Sequence, residues 1–600
     1  MSGIAGLVGY GGSALAAVPV CEAMLTSLKK RGSNEHGTFM SQEICLLHVR
    51  TSVHNAGRGP LRAVMGQRAY VLVYDGELYN KDELIKELRT LGYRFNENSD
   101  AEVVLQGYMA WGEPCLERFW GMYAFAIWDG EHLFMARDRL GLKPFYYSVG
   151  KFGFAFASDI NTLLSHPSIQ PIVDTEGVAE LLLLGPGRTP GNAVFRDIQE
   201  LKPAHWASYS QVNGLKTDKY WQLKARPHRD SFEETVANIR TIIIDSISRQ
   251  STVPQNARLG CFLSGGLDSS IIATLSNCKE TFSVNYYGND KHFNPTDTQP
   301  DDDSSFIKTM VSSLRTNHQN ILLGSDELAD ALIPAMQARG LPGMADVDAA
   351  LLLFCQYVKE SVPIALSGDG ADEIFGGYPW YQNKERLYAE TFPWAQSIDY
   401  RSRFLSPHIK LDTEAFVNSR YKNTIAQADT LYDDEPIEKR IRQMYHLNLY
   451  WFLQTLNTRS EAMGTAAGLT VRSPFLDHRL VEYLYNVPWV HKNYKDREKG
   501  LLREALNGKL PQSILWRKKS PFPKTHNPAY MNRVSDMLKG VLQNKSAPIF
   551  AMVHKEALQN LLKDESHQSW YGQLMGVPQT IAYFLQVNAW METNNVRLLL

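Results

Sequence analysis

A glycine-rich loop carries the residue types best suited to phosphate chemistry. Its residues are Ser264-Gly265-Gly266-Leu267-Asp268-Ser269-Ser270, between a predicted apolar strand and a predicted helix. Two glycines let backbone N–H groups approach an oxyanion, and serine hydroxyls and a helix N-terminus favour phosphate. Asp268 would repel that phosphate unless Mg²⁺ lay between them. No Walker A pattern is present, and the competing interpretation is a capped strand–helix turn that binds nothing.

A second loop, Ser367-Gly368-Asp369-Gly370-Ala371-Asp372-Glu373, also follows a predicted apolar strand. Because parallel strands end at one edge of a sheet, where ligands of α/β proteins bind, we expect the two loops to meet there. Three carboxylates within five residues suit a metal ion or a proton transfer. An acidic surface turn is the alternative interpretation.

The pattern of elements around these loops predicts an α/β fold with two domains. Residues up to about 200 read as short β segments with one clear helix at 81–91, and a polar stretch at 224–230 indicates a linker. From Ser231 onward helices and strands alternate, which favours a doubly wound, mostly parallel sheet, and the last part is largely helical. Helices are predicted over 232–249, 270–275, 327–337 and 349–359, and strands over 258–263, 281–287 and 362–366.

Composition excludes several classes of protein. A formal net charge of -2 over 600 residues provides no field for nucleic acid or an anionic membrane. No apolar run is long enough to span a bilayer, and the N-terminus lacks a secretory signal. The six cysteines show no metal-ligand spacing, so we expect reduced thiols in a cytoplasmic protein.

Together the two loops resemble those of the asparagine synthetase B superfamily, and further motifs extend the resemblance over the whole chain. In the first half these are Arg31-Gly32, His48-Val49-Arg50, Asp75-Gly76-Glu77-Leu78-Tyr79-Asn80, Ser99-Asp100-Ala101-Glu102 and residues 136–144. In the second half they are residues 472–477, 499–504 and 517–519. The resemblance implies a glutaminase-like domain (class II glutamine amidotransferase) over 1–215, an Ntn-hydrolase-type αββα sandwich. It implies a synthetase domain over 230–600, of the adenine-nucleotide α-hydrolase (PP-loop) fold.

The chemistry implied by the resemblance is a two-step ligation. ATP adenylates a substrate carboxylate and pyrophosphate leaves; an amine then attacks the acyl-adenylate to give an amide and AMP. Asp268 and Asp372 would hold Mg²⁺, Lys499 would stabilise developing charge, and Lys519 would assist at the phosphates. The partners implied are a small-molecule carboxylate and an amine, and a homodimer stays open. The remaining residues implied for ATP and pyrophosphate are Phe262, Leu263, Ser264, Gly265, Gly266, Ser269, Ser270, Val284, Ser367 and Gly368.

The first half departs from the family at two catalytic positions. The family begins Met-Cys-Gly-Ile, whereas Ser2 stands in place of that nucleophilic cysteine, and a serine hydroxyl is the poorer nucleophile. Asp75 replaces the oxyanion-hole asparagine, and an anion there would repel the developing oxyanion. The positions that grip glutamine in the family, Arg50, Gly76, Glu77 and Asp100, are retained. We therefore predict a vestigial, inactive glutaminase; a natural or engineered Cys-to-Ser change is the alternative.

The synthetase half departs near the acceptor substrate. Asp369 replaces the family's glutamate, and in β-lactam synthetases the same position is a tyrosine that belongs to a base dyad. Glu461 lies near the second dyad position, where it would act with Asp369 as catalytic base or serve only a structural role. Ala462 and Thr470 replace an arginine and a glutamate, which predicts a substrate other than plain aspartate.

Three hypotheses remain open at this stage. The first is an ATP-dependent amide ligase without glutaminase activity, using a specialised carboxylate and even an intramolecular amine, as in β-lactam synthetases of antibiotic biosynthesis. The second is a conventional glutamine- or ammonia-dependent asparagine synthetase. The third is a non-catalytic scaffold, against which the intact Mg–ATP loops argue.

Overall fold

The computed structural model describes residues 2–9, 14–32, 34–51, 59–254, 257–293, 295, 301–564 and 568–600. The chain divides into two compact units. The first comprises Met1–Asp174 and Pro190–Gln222, and the second comprises Thr175–Thr189 and Leu223–Leu600. Within the described ranges no helix is both long and apolar enough to cross a membrane.

The described part of the first unit contains two six-stranded antiparallel sheets. The strands of one sheet, in spatial order, are Gln199–Glu200, Tyr146–Gly150, Gly153–Ala157, Ser2–Val8, Ile44–Arg50 and Glu35–Met40. Those of the other are Gly214–Lys219, His205–Ser210, Leu133–Arg137, Gly121–Trp128, Arg68–Leu78 and Leu61–Met65.

Apolar side chains on facing strands join the two sheets into a sandwich. Ile4 and Leu46 of one sheet pack with Val71 and Ala124 of the other in a single buried cluster. Helices Ala14–Leu28 and Ile160–Leu164 pack on the outer face of the first sheet, and Lys81–Thr90 and Asp100–Trp111 pack on the second. This arrangement confirms the expected αββα sandwich, including the predicted helix that begins at Lys81.

The second unit is built on a five-stranded parallel sheet. Its strands, in spatial order, are Asn317–Leu323, Glu280–Tyr286, Leu259–Phe262, Ile364–Leu366 and Thr470–Arg472. Successive strands are added to one side of Leu259–Phe262, and then, from Ile364–Leu366 onward, to its other side. A crevice therefore opens between the carboxyl ends of these two strands. The two polar loops follow these two strands, which confirms the predicted parallel sheet and the shared edge.

Helices surround this sheet and make up the C-terminal part, as predicted. The predicted helix over 327–337 is two helices that meet at Ala331, and the helix predicted to begin at Ser270 begins earlier, at Leu267. The longer helices of the second unit are Phe232–Gln250, Leu267–Leu275, Ser304–Leu314, Ser325–Asp330, Leu332–Arg339, Asp346–Ser361, Thr413–Ile425, Pro436–Leu447, Leu453–Ala467, His478–Asn486, Gly500–Ala505, Pro528–Gln543, Lys555–Leu561 and Val577–Thr593.

The segment Thr175–Thr189 belongs to the second unit, so the division differs from the predicted domains at 1–215 and 230–600. Glu180 is fully buried and accepts hydrogen bonds from the backbone N–H and hydroxyl of Thr189. The Tyr583 hydroxyl donates to the Leu181 carbonyl at 2.8 Å, and Arg401 donates to the Gly185 carbonyl at 3.0 Å. These bonds tie the segment to helices far along the chain, a pairing that no local sequence pattern indicates.

Candidate active site

A cavity of about 250 Å³ lies at the carboxyl edge of the parallel sheet. Both polar loops line it, together with residues 517–523 and parts of the helices Asp346–Ser361 and Leu453–Ala467. The sheet positions this cavity because Gly260 pairs with Ala365 in parallel, so the chain leaves both strands side by side. A crevice of this kind is where α/β proteins bind nucleotides.

The first loop is held in shape by its own serines. The Ser264 and Ser269 hydroxyls lie 3.0 Å apart, and the Ser264 N–H donates to the Ser269 hydroxyl at 3.1 Å. Gly265 has a φ of +68°, and a Cβ there would come within 2.8 Å of the Ile307 nitrogen. The loop is therefore preorganised, with Gly266 directly before the helix N-terminus.

Most of the residues predicted for the nucleotide line this cavity. An apolar part is formed by Phe262 and Phe354, whose rings lie 4.8 Å apart, and by Leu263 and Val284. Gly265 and Ser270 do not line it, because Gly265 packs against the chain at Ile307 and Ser270 is fully buried in the first helical turn. The predicted residues that do line it are Phe262, Leu263, Ser264, Gly266, Asp268, Ser269, Val284, Ser367, Gly368, Asp369, Asp372, Lys499 and Lys519.

Two carboxylates and two lysines meet at the junction of the loops. Lys499 Nζ lies 2.5 Å from Asp268 Oδ2 and 2.5 Å from Asp372 Oδ1, and Lys519 Nζ lies 2.9 Å from Asp372 Oδ2. We call these four residues the carboxylate–lysine cluster. Lys499 is only 3% exposed although it is charged. Its ammonium fits there because Gly377 carries no side chain; a Cβ at that position would collide with Lys499 Cε and with Asp372 Oδ1.

The pKa values in this cluster reflect burial and mutual charge. Burial raises the pKa of Asp268 even though Lys499 opposes that effect. Burial also acts to raise the pKa of Asp372, but Lys499 and Lys519 outweigh it and hold that pKa at about 2. Burial alone would lower the pKa of Lys499, yet the two carboxylates raise it. Lys499 and Asp372 are therefore charged near neutral pH.

The two carboxylates fit a divalent cation. Asp268 Oδ1 is buried and has no hydrogen-bond partner among the described residues, so one hard oxygen donor is available. No group of three or more His, Cys, Asp or Glu side chains in the described chain could hold a metal ion by itself. Two carboxylates together with phosphate oxygens are the donor set that Mg²⁺ prefers when it binds with a nucleotide.

The structure does not bring together Asp369 and Glu461, the two carboxylates predicted to act jointly as the catalytic base. Asp369 lines the cavity, whereas Glu461 does not, and the Thr465 hydroxyl donates to Glu461 Oε1 at 3.1 Å. Leu456 and Arg459 of the same helix line the cavity, and Glu461 lies about 200° around the helix from Arg459 at roughly 100° per residue. Ala462 and Thr470 are buried but do not line the cavity either.

Sequence reasoning assigned no role to two residues that line this cavity. Arg459 is 5% exposed, with its guanidinium over the Phe522 ring at 5.2 Å. Glu373 is fully buried; burial raises its pKa to about 7, and the Tyr378 hydroxyl donates to it. Glu373 lay within a quoted motif, but nothing in the sequence distinguished Arg459 from the other polar residues of its helix.

A second charged cluster surrounds Ser2 in the first unit. The Ser2 hydroxyl donates to Asp75 Oδ1 at 3.0 Å, Lys143 Nζ lies 3.1 Å from the same oxygen, and Arg31 lies 3.6 Å from Oδ2. Asp75 is 1% exposed; burial acts to raise its pKa, but Lys143 and Arg31 outweigh that effect and lower it. Lys143 and Arg31 belong to motifs quoted above, but the sequence did not indicate that both contact Asp75.

The positions that the resemblance assigns to glutamine lie in the strands Ile44–Arg50 and Arg68–Leu78 and at the start of the helix Asp100–Trp111. Arg50 lies 3.5 Å from Glu35, and Asp100 accepts a hydrogen bond from the Leu78 N–H at 3.0 Å and pairs with Lys81 at 3.3 Å. Burial raises the pKa of Asp100. Gly76 and Glu77 are in the strand Arg68–Leu78, where a Cβ on Gly76 would collide with the neighbouring strand at Met122.

Comparison with known proteins identifies relatives over nearly the entire length. The asparagine synthase family model matches residues 238–592, and the glutamine amidotransferase domain model matches residues 1–221. Asparagine synthetase [glutamine-hydrolyzing] 3 of Bacillus subtilis (strain 168) is 40% identical over 616 residues, covering 99% of each chain. Asparagine synthetase B of Escherichia coli (strain K12) is 24% identical, covering 82% of this chain and 77% of that protein.

A solved structure of a more distant protein also aligns. It is the glutamine phosphoribosylpyrophosphate amidotransferase from B. subtilis complexed with ADP and GMP, at 16% identity and a TM-score of 0.29. The alignment covers 46% of this chain and 63% of that chain. At that TM-score the likeness supports no inference of function.

Proposed function

The chain belongs to the asparagine synthetase family of ATP-dependent carbon–nitrogen ligases, and we propose that it converts the side-chain carboxylate of aspartate, or of a closely related amino dicarboxylate, to an amide. The reaction runs through an acyl-adenylate and releases pyrophosphate and AMP. The observation that carries this proposal is the carboxylate–lysine cluster at the edge of an apolar cavity. The name of the 40% identical relative supports aspartate as the acceptor.

The first step transfers AMP to the substrate carboxylate. The adenine and ribose lie against the apolar part of the cavity formed by Phe262 and Val284, and the serine-rich loop binds the phosphates. A carboxylate oxygen attacks the α-phosphorus, and the bond to the pyrophosphate oxygen breaks. Asp268 and Asp372 would hold Mg²⁺, which would supply positive charge against the phosphates. Lys499 stabilises the charge that develops on the leaving pyrophosphate.

The second step forms the amide. An amine nitrogen attacks the acyl carbonyl, the tetrahedral intermediate collapses, and AMP leaves with the electrons of the broken C–O bond. The amine must lose a proton in this step, and Asp369 is the carboxylate at the acceptor end that accepts it. Because Glu461 does not line the cavity, Asp369 acts without a dyad partner in this proposal. Ring closure of the β-lactam type therefore lacks the support that the sequence first suggested, and an external amine is favoured.

The first domain, we infer, does not release ammonia from glutamine by cysteine chemistry. Its only candidate nucleophile at that position is the Ser2 hydroxyl, which donates to Asp75. The ionised Asp75 carboxylate occupies the place from which an amide N–H₂ would stabilise an oxyanion. Free ammonia is then the nitrogen source for the ligase.

ATP–pyrophosphate exchange tests this proposal. Full-length protein is assayed with aspartate, glutamate, succinate and β-alanine, and amide formation is then measured with ammonia, with glutamine or with no added amine. The expected result is exchange with aspartate and asparagine formation with ammonia alone. Asparagine formed equally well from glutamine would overturn the inference on the first domain. AMP release without an external amine would favour ring closure, and ATP binding without any exchange would favour the scaffold hypothesis.

A further inference from the structure

Arg459 presents a buried positive charge to the cavity, and no partner for that charge is found among the described residues. It is 5% exposed, and its Nε has no hydrogen-bond partner there. Neither a hydrogen bond nor an ion pair of its guanidinium is found within the described part of the chain, and the guanidinium lies over the face of the Phe522 ring at 5.2 Å. A guanidinium cannot lose its proton near neutral pH, so this charge is permanent.

Other buried arginines of the same unit have partners for their guanidinium groups, and Arg401, for example, donates to the Gly185 and Trp570 carbonyls. Arg339 pairs with Asp348 at 3.1 Å, and Arg503 pairs with Glu498 at 2.9 Å. Arg517, which lines the same cavity, pairs with Asp303. An uncompensated buried charge is costly unless an opposite charge joins it. The exception at Arg459 therefore indicates that a bound anion completes the site.

We propose that Arg459 binds the carboxylate of the acceptor substrate that is not adenylated. This inference rests on the proposed function, in which a second carboxylate is present on the acceptor. The planar guanidinium fork matches a carboxylate with two parallel hydrogen bonds, and Phe522 fixes the plane of that fork. Arg459 is thus the residue that distinguishes an amino dicarboxylate from an amino monocarboxylate.

The position of Arg459 favours the acceptor over the phosphates of ATP. The serine-rich loop, Lys499 and Lys519 already provide the contacts that this proposal assigns to the phosphates. Arg459 comes instead from the helix Leu453–Ala467, which supplies none of these phosphate-binding groups. It lines the same cavity as Asp369, the residue proposed to accept the proton of the incoming amine, and we therefore assign it to the acceptor.

Comparing two acceptors isolates this contact. β-Alanine is aspartate without the carboxylate that Arg459 is proposed to bind. In ATP–pyrophosphate exchange we expect wild type to prefer aspartate by about 100-fold in kcat/KM, the usual effect of hydrogen bonds to a charged group. Arg459→Met should reduce that preference to below about fivefold, and Arg459→Lys should be intermediate because an ammonium lacks the fork.

Two further measurements keep the inference falsifiable. Titration calorimetry of aspartate and β-alanine into protein with a non-hydrolysable ATP analogue reports binding without turnover, so Arg459 is tested even if exchange fails in every variant. Arg533→Met is the control, because Arg533 is 46% exposed and pairs with Asp330 away from the cavity, and it should leave the preference for aspartate unchanged. Arg459→Met should melt no lower than wild type, because it removes an unpaired charge, whereas Arg339→Met should melt lower. An unchanged preference in Arg459→Met, or weakened binding of the ATP analogue instead, would overturn the assignment.

Discussion

In the first unit, the buried Asp75 carboxylate contacts Lys143, Arg31 and the Ser2 hydroxyl. In the second unit, the partly exposed carboxylates of Asp268 and Asp372 share Lys499, and Asp268 Oδ1 has no hydrogen-bond partner among the described residues. The residue types are alike, and Asp75 Oδ2 likewise has no hydrogen-bond partner among the described residues. The clusters differ in access: the Asp75 side chain is 1% exposed, whereas those of Asp268 and Asp372 are 20% and 18% exposed and line a cavity. Access to a cavity, rather than the presence of charged residues, is what separates a structural ion pair from a site that can bind substrate.

Substitution of Lys499 should have the largest effect on activity. Lys499→Met should reduce kcat/KM for ATP–pyrophosphate exchange by about 10³-fold, because it removes the cation that stabilises the leaving pyrophosphate. Lys495→Met is the control, since Lys495 is more than half exposed and lies 3.7 Å from Glu504. A loss of less than tenfold in Lys499→Met would place the second cluster with the first, as a structural ion network.

The next largest effect is expected from substitutions of Ser2 and Asp75 that would give the first cluster glutaminase activity. Glutamate release from glutamine should be absent in wild type and remain low in Ser2→Cys, because the Asp75 anion persists. The double variant Ser2→Cys, Asp75→Asn should exceed Ser2→Cys by about 100-fold, the usual contribution of an oxyanion-hole donor. If Ser2→Cys alone were fully active, Asp75 would not be the barrier. The thermal midpoint of each variant reports whether Lys143 and Arg31 tolerate the loss of their anion.

A smaller effect is expected at Lys519, which contacts only one of the two carboxylates. Lys519→Met should reduce exchange by about tenfold, mainly through a higher KM for ATP, since one charge-assisted contact is lost. The measurement is exchange at varied ATP and saturating aspartate. Equal losses in Lys519→Met and Lys499→Met would show that the two lysines act as one unit.

The smallest effects are pH dependences of opposite sign in the two units. Burial lowers the pKa of His48 from 6.5 to about 4, so the unfolded chain takes up a proton first and stability falls as pH drops from 6.5 to 4. Burial raises the pKa of Asp346 from 3.8 to about 6. The protonated Asp346 carboxyl therefore makes its full contribution to the free energy of unfolding below pH 3.8, and that contribution is lost as the pH rises to about 6.

Uncharged substitutions of Asp346 and His48 test the predicted direction of each pH dependence of stability. Asp346→Asn should raise the thermal midpoint by roughly 5 °C at pH 7.5 and leave it unchanged at pH 3.5. His48→Asn should reduce the loss of stability between pH 6.5 and 4, without affecting the slope above pH 7. Thermal scans across pH with unchanged slopes in both variants would contradict both assignments.

Sequence reasoning reached the architecture because the relevant signals are local. Each polar loop directly follows an apolar strand, so parallel pairing of Leu259–Phe262 with Ile364–Leu366 brings Asp268 to Asp372. Lys499 and Lys519 came from the family resemblance, and the structure places both in the cluster.

Helix phase was not predictable in the same way. A π-helical turn at Asn448–Phe452 joins Pro436–Leu447 to Leu453–Ala467 and changes the rotation of everything after it. Spacing along the sequence therefore could not determine that Arg459 lines the cavity while Glu461 does not. The contacts of Asp75 with Lys143 and Arg31 likewise depend on tertiary packing between distant segments.

The interleaved course of the chain has a consequence for dividing this protein into pieces. Thr175–Thr189 lies between two stretches of the first unit, and Pro190–Gln222 lies between two stretches of the second. No single cut yields both units intact: a fragment that starts at Leu223 would lack the Gly185 carbonyl that Arg401 contacts and the Leu181 carbonyl that Tyr583 contacts. An isolated ligase unit would have to be made by circular permutation, or by supplying 175–189 as a separate peptide.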